Sequence, residues 1–289
     1  SRTADDTADT LKVTAAEPYA FGYGTNNSPN IAGTGIVDEG DTATLSITGA
    51  YTVNDPLRVY GASRMRVLDM TGAADHLKNA LDLGKCTVLR ELNLQSATTG
   101  STGWWLSIGS CRQLRKLNVR NQAQAKTGGS TSTALDLTEQ TKLEELDARG
   151  TKVQSVTFAK GAPVAKAYLP GTLTTLRLEY LPKLTAANLT LETWSNVRTL
   201  IYDPCPGLNW ETLLSRCANI DRIRVTGIDR EDDGTWLNRF VNMGGVDVEG
   251  NSTDTCALVG TVKLTKYLDE DTYAAYTAHF PELNIRQPE

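Results

Sequence analysis

Apolar residues in this chain recur in short runs about 23 residues apart. Each run reads apolar-x-x-apolar-x-apolar. Leu89-Leu92-Leu94, Leu114-Leu117-Val119 and Leu143-Leu146-Ala148 are the clearest. Met65-Leu68-Met70, Val164-Ala167-Leu169, Val197-Leu200-Tyr202 and Ile220-Ile223-Val225 repeat the pattern, and Thr42-Leu45-Ile47 is a degenerate copy. Every position in these runs is apolar except Thr42, in a chain that is 40% hydrophobic, so composition alone does not produce them. The alternation at the end of each run predicts a short strand.

Three further columns keep the same phase. Six residues before each start stand Ile36, Val59, Leu83, Ile108, Leu137, Phe158, Leu191 and Leu214. Eight residues before stand Leu57, Leu81, Leu106, Leu135, Val156 and Leu189, weakening to Thr34 and Thr212. Seven residues after each start come Gly49, Gly72, Ser96, Asn121, Gly150, Gly171, Pro204 and Gly227, residues suited to leave a strand through a tight turn. A fixed period of this length predicts a solenoid, whose single turns bury their apolar side only against one another.

At these residues the chain resembles the leucine-rich repeat family, whose L-x-x-L-x-L kernel forms one short parallel strand per turn. The returning L-x-L pairs, such as Leu81-Leu83, Leu106-Ile108 and Leu135-Leu137, alternate like strands rather than helices. The asparagine that regular members place after the kernel is missing, and Gly stands near its place. The segment AYLPGTLTTLRL around Leu169 and Pro170 looks more like the irregular repeats of bacterial surface antigens, the BspA-like group. The resemblance implies an α/β fold: a right-handed leucine-rich-repeat solenoid with parallel strands on a concave face, a mostly extended, irregular convex side and a small α/β C-terminal cap. The tail, WLNRFVNMGGVDVEGNSTDTCALVGTVKL followed by YAAYTAHFPELNI, is similar to modules that follow such repeats in gut bacterial, prophage or phage structural proteins.

The expected organisation is an N-terminal lead-in over 1–33, repeats over 34–228 and a capping α/β unit over 229–289. Spacings between starts are 23, 24, 25, 29, 21, 33 and 23. The long step before Leu143 holds AQAKTGGSTSTA, read as an extruded loop. The pattern leaves open whether the 33-residue step hides a further turn near Leu184. Beyond 228 the residues predict a short helix at 235–242, with Trp236, Leu237 and Phe240 on one face. A strand at 258–264, a helix capped by Asp269 with Tyr273, Tyr276 and Phe280 on one stripe, and a closing strand at FPELNI complete the tail.

Chemistry narrows the function. Net charge is −5 and the basic residues are scattered, which argues against a nucleic-acid groove. No 18-residue apolar stretch exists to span a bilayer. Opening on SRTADDTADT, the chain reads as part of a longer parent polypeptide or virion assembly. The five cysteines are an odd number; Cys86, Cys111 and Cys217 share one phase, three residues before a start, and read as a buried column rather than a disulfide framework. His76 and His279 are the only histidines, and no metal-spaced set or nucleophile motif exists, so no cofactor and no catalysis are expected. Glu145 with Asp147 offers a remote glycoside-hydrolase reading. The acidic stretch 229–234 is similar to a calcium loop but lacks its closing Glu, and reads more simply as an acidic helix start.

What remains is recognition. Strand alternation turns the third, fifth and seventh kernel positions outward. That predicts a binding face carrying Asp69, Glu91, Asn93, Lys116, Asn118, Arg120, Glu145, Asp147, Arg149, Tyr168, Arg222 and Arg224. Trp104 and Trp105, after a Gly/Ser/Thr run, form a second candidate, an aromatic platform, although at least one is expected to plug the core. The expected function is non-enzymatic adhesion to a protein or glycan, on a cell surface or virion. The competing class is a passive structural spacer touching only sister subunits.

Overall fold

The computed structural model describes residues 9–25, 32–48, 57–72, 80–96, 105–122, 125–127 and 132–289. The predicted runs form strands of three or four residues in most turns, and those strands are too short to stand alone. They are held by in-register parallel pairing. Leu68, Leu92, Leu117, Leu146, Ala167 and Leu189 pair one with the next across six parallel strands, Met65–Gly72, Glu91–Asn93, Lys116–Asn118, Glu145–Asp147, Lys166–Leu169 and Leu189–Leu191. All six of these side chains are buried.

A second sheet grows from the L-x-L segments. Leu135, Val156, Leu176, Leu200 and Ile223 pair in the same manner along Ala134–Leu137, Ser155–Phe158, Thr175–Leu178, Thr199–Tyr202 and Arg222–Asp232. Ahead of it, Ala80–Asp82 and Trp105–Ser107 pair as a separate parallel couple. The inward residues of both sheets join one buried apolar cluster. Among the described residues the fold is α/β, with mostly parallel strands, few helices and no closed barrel.

Two expectations are corrected. The run at Thr42 is not a turn stacked on Met65. Strand Asp9–Ala15 inserts between Thr42–Ile47 and Met65–Gly72 and pairs antiparallel to both, so this segment covers the first parallel strand. The 33-residue step is about one and a half turns, so it hides a further first-sheet strand, Leu189–Leu191, and moves the runs at Val197 and Ile220 to the second sheet. Between Thr199–Tyr202 and Arg222–Asp232 the chain forms helix α1 (Trp210–Arg216), capped by Asn209, which accepts from the Thr212 amide at 2.9 Å.

The turns behave as their residues dictate. Ser96, Asn121, Gly150 and Gly227 all have positive φ, the conformation that leaves a strand within one residue. Among the cysteines, Cys86, Cys111 and Cys217 are buried free thiols. Gln140 fills the same slot in the next turn. The Cys111 thiol donates to the Leu83 carbonyl at 3.6 Å, and the Gln140 amide donates to the equivalent Ile108 carbonyl at 2.9 Å. One slot therefore ties these two turns to their predecessors, once through a thiol and once through an amide.

The tail follows its sequence closely. Ala257–Leu264 lies parallel to Arg222–Asp232, and Leu283–Arg286 lies parallel to Ala257–Leu264. Helix α2 (Glu270–His279) joins those last two strands, and Asp269 caps it by accepting from Thr272. The expected helix at 235–242 is instead a 3₁₀ segment, Thr235–Arg239; its Trp236 and the following Phe240 pack against Trp210 of α1. Among the described residues no helix is long and apolar enough to cross a membrane.

Two outcomes follow. Leu117→Ala removes a side chain that packs between two neighbouring turns, and is expected to lower stability by about 2–5 kcal/mol in chemical denaturation. Burial pushes the Cys111 and Cys256 thiols up to about 12 and those of Cys86 and Cys217 up to about 11. An unfolded thiol ionises at 9.0, so the folded state holds more protons between pH 9 and 11–12. Stability should be full below pH 9 and fall as pH rises through that window, and replacing Cys111 and Cys256 with Ala should flatten the decline.

Candidate functional site

The outward face of the first sheet carries three rows of side chains about 4.8 Å apart from turn to turn. The middle row reads Asp69, Asn93, Asn118, Asp147, Tyr168 and Thr190. Its acid and amide members perform one local task. Each side-chain oxygen accepts from the backbone amide two residues on: Asp69 from Thr71 at 2.9 Å, Asn93 from Gln95 at 3.2 Å, Asn118 from Arg120 at 3.0 Å and Asp147 from Arg149 at 3.2 Å. Asp and Asn recur here because their short side chains close the turn that leaves each strand.

The lower row is a charge ladder. Glu91 and Lys116 lie 3.3 Å apart and Glu145 and Lys166 lie 3.1 Å apart, across adjacent turns. All four side chains are well exposed, so each pair contributes about 0.2–1 kcal/mol. Beside this row, Arg115 meets Glu144 at 2.9 Å.

The upper row holds the most constructed feature. The Arg149 guanidinium forks onto Asp147 through Nε at 2.9 Å and Nη2 at 2.5 Å, and lies 4.5 Å above the Tyr168 ring. The hydrogen bond to Asp147 raises the Arg149 pKa above its ordinary value. One turn further, the Glu192 carboxylate accepts from the Gly150 amide at 3.0 Å and the Gly171 amide at 2.9 Å. Half-buried Asp147, Arg149 and Tyr168 and exposed Glu192 thus form a platform built by three successive turns.

Sequence reasoning placed Asp69, Glu91, Asn93, Lys116, Asn118, Arg120, Glu145, Asp147, Arg149 and Tyr168 on one face, and the structure keeps these together. Arg222 and Arg224 leave the set. They lie on the second sheet, where Arg224 is in line with Ile201 and forks onto Glu282 at 2.9 and 3.3 Å. The half-turn in the 33-residue step carried them across. Glu192 and Thr190 take the vacated end of the first face. The signal for them was the Leu189-Leu191 pair, 22 residues after Ala167 and Leu169.

Trp105 begins a strand rather than sitting on a loop. It pairs with Ala80, is half-buried, and points away from the buried Leu106. Trp104 and His76 lie outside the described residues. His279 is tied to the Phe240 carbonyl at 3.0 Å and meets the Phe280 ring edge-to-face. In the acidic stretch, Asp232 accepts from Gly234, Arg230 and Trp236, and Asp233 accepts from Thr235. Those bonds shape the entry to the 3₁₀ segment, and hydrogen bonds from Thr235 lower the Asp233 pKa. Among the described residues no three His, Cys, Asp or Glu side chains cluster as a metal site requires. No family model matches the chain, and no curated protein or solved structure matches it either.

Because the middle row closes turns, its residues contribute to stability. Asn118→Ala should cost about 1 kcal/mol in denaturant melts. Asn118→Asp keeps the acceptor for Arg120 and loses only the 3.2 Å donation to Gln95, so it should cost less.

Proposed function

We propose that the chain is a non-enzymatic recognition module of the leucine-rich-repeat type, its two sheets winding as a right-handed solenoid. In this reading it binds a protein partner through the outward face of the first sheet. The platform of Asp147, Arg149, Tyr168 and Glu192 carries the proposal. It presents an aromatic ring, a forked arginine and fixed carboxylates at a spacing set by the strands. Arginine and tyrosine are the side chains that most often anchor protein interfaces. Their prior ordering lowers the entropy lost on binding. The same pairing weakens a hydrolytic reading, since Glu145 is engaged by Lys166 and Asp147 by Arg149.

A second reading has its own support. Glu91 with Lys116, Glu145 with Lys166 and Asp147 with Arg149 neutralise one another within the chain, as suits a spacer that contacts only sister subunits. Display on a cell surface or virion rests on the resemblance of the repeats and tail alone.

A charge-swapped face separates these readings. Glu145→Lys with Lys166→Glu, and Asp147→Arg with Arg149→Asp, keep each internal pair while reversing the pattern shown outward. Flow cytometry of labelled wild-type and swapped protein on intact bacterial and mammalian cells reads the effect. The recognition reading expects at least about tenfold weaker cell binding, with stability lowered by no more than the about 1 kcal/mol of the lost Asp147 turn-closing hydrogen bond. Unchanged cell binding counts against it. Loss of self-association in sedimentation, with cell binding intact, favours the spacer.

A further inference from the structure

The second sheet is interrupted at one place among the described residues, between Trp105–Ser107 and Ala134–Leu137. Residues 125–127 hold the two strands apart. The Leu106 amide donates to the Lys126 carbonyl at 2.7 Å, the Thr127 amide donates to the Ala134 carbonyl at 2.8 Å, and the Asp136 amide donates to Thr127 Oγ1 at 2.6 Å. Beside this wedge the strands leave a cavity of about 390 Å³ open to solvent. Its size is at the lower end of small-molecule sites, which run from about 300 to 1,000 Å³. It occurs in the 29-residue repeat, the longest step between adjacent turns of the first sheet. Insertions in repeat proteins extend one turn without disturbing the stack, which leaves them free to build a site.

The lining has a definite chemistry. Trp105 supplies the one aromatic wall, and its pairing in a strand fixes its backbone. Around it stand the hydroxyl-bearing Ser107, Thr127, Ser132 and Thr138 and the carboxylates of Glu139 and Asp136, whose Oδ1 accepts from the Thr138 amide at 3.0 Å and leaves Oδ2 for a ligand. Among the described residues no lysine or arginine lines the cavity. One Glu139 oxygen is held by the Arg112 guanidinium at 2.9 Å. An aromatic face ringed by hydroxyls and acceptors suits a ligand with an apolar ring face and a hydroxyl-bearing edge. The carboxylates disfavour an anion, and a concavity this small does not fit a folded protein.

We propose that this cavity binds a neutral sugar ring of an oligosaccharide, with the ring stacked on Trp105 and its hydroxyls donating to Asp136 and Glu139. The site is independent of the first-sheet face, and nothing in it requires bond cleavage.

The test uses the full chain with cellohexaose, maltohexaose, N-acetylchitohexaose and a galacturonic acid hexamer as probes. Saturation-transfer NMR detects contact, and calorimetric titration measures affinity. At least one neutral hexamer should bind. Trp105→Ala should weaken it about tenfold or more, and Trp105→Phe, which keeps an aromatic wall in the same strand, should weaken it less. Melting curves identify any variant that fails to fold, and the Phe variant then carries the comparison. Absence of saturation transfer from all three neutral probes overturns the proposal. So does wild-type affinity in Trp105→Ala, or binding of the uronate alone. The charge-swapped first-sheet variant should bind the same sugar unchanged, so failure of the face reading and failure of this one are distinguishable.

Discussion

Every strand in the two stacks depends on its neighbour for both of the things a strand needs. Three residues cannot satisfy their own backbone, and one leucine cannot be buried by its own turn. In-register parallel pairing supplies both at once, because the ladder that joins Leu92 to Leu117 and Leu117 to Leu146 also places those side chains in contact. Stability is therefore distributed lengthwise. The ends need separate treatment, and the N-terminal end receives it from Asp9–Ala15, which pairs antiparallel to the first parallel strand.

That constraint decides where function has room. On the regular face the outward side chains are partly committed to the stack. Asp and Asn close turns, Glu and Lys bridge them, and Glu192 holds two backbone amides. Freedom appears where one turn differs from the next: the three-turn platform beside Tyr168, and the wedge that parts the second sheet next to Trp105. Neither needs a residue removed from the core.

Much of the fold was legible because the leucine runs, the Gly/Asn/Ser exit column and the Asp269 cap each have a local physical cause. The phase exchange after Leu169 was not. From Val153 onward each turn carries two qualifying runs: Val153-Val156-Phe158 and Leu173-Leu176-Leu178 satisfy the kernel pattern as well as Val164-Ala167-Leu169 does. Periodicity reports that a run is buried against a neighbour, but not which of two sheets it joins. The error at Arg222 and Arg224 followed directly. Thr42 misled for a related reason, since a strand pairing antiparallel has the same alternation as one stacked in parallel. Of the candidate face, ten residues were placed by alternation alone. The role of its Asp and Asn members was hidden, because an outward polar column looks the same whether it faces a ligand or closes its own turn. The cavity beside Trp105 was hidden because its walls come from segments 30 residues apart, and only the pairing of residues 125–127 creates it.

The exchange of strands between sheets is the point on which this architecture most directly stands or falls. Oxidative cross-linking of paired cysteines, mapped by mass spectrometry, reads it. Residues adjacent in parallel register lie within the Cα separation a disulfide spans, about 4.4–6.8 Å. The double variants Tyr168→Cys with Thr190→Cys and Arg177→Cys with Ile201→Cys should each form a bridge, whereas Tyr168→Cys with Ile201→Cys should not. A bridge between 168 and 201, with none between 168 and 190, would contradict the two-stack account.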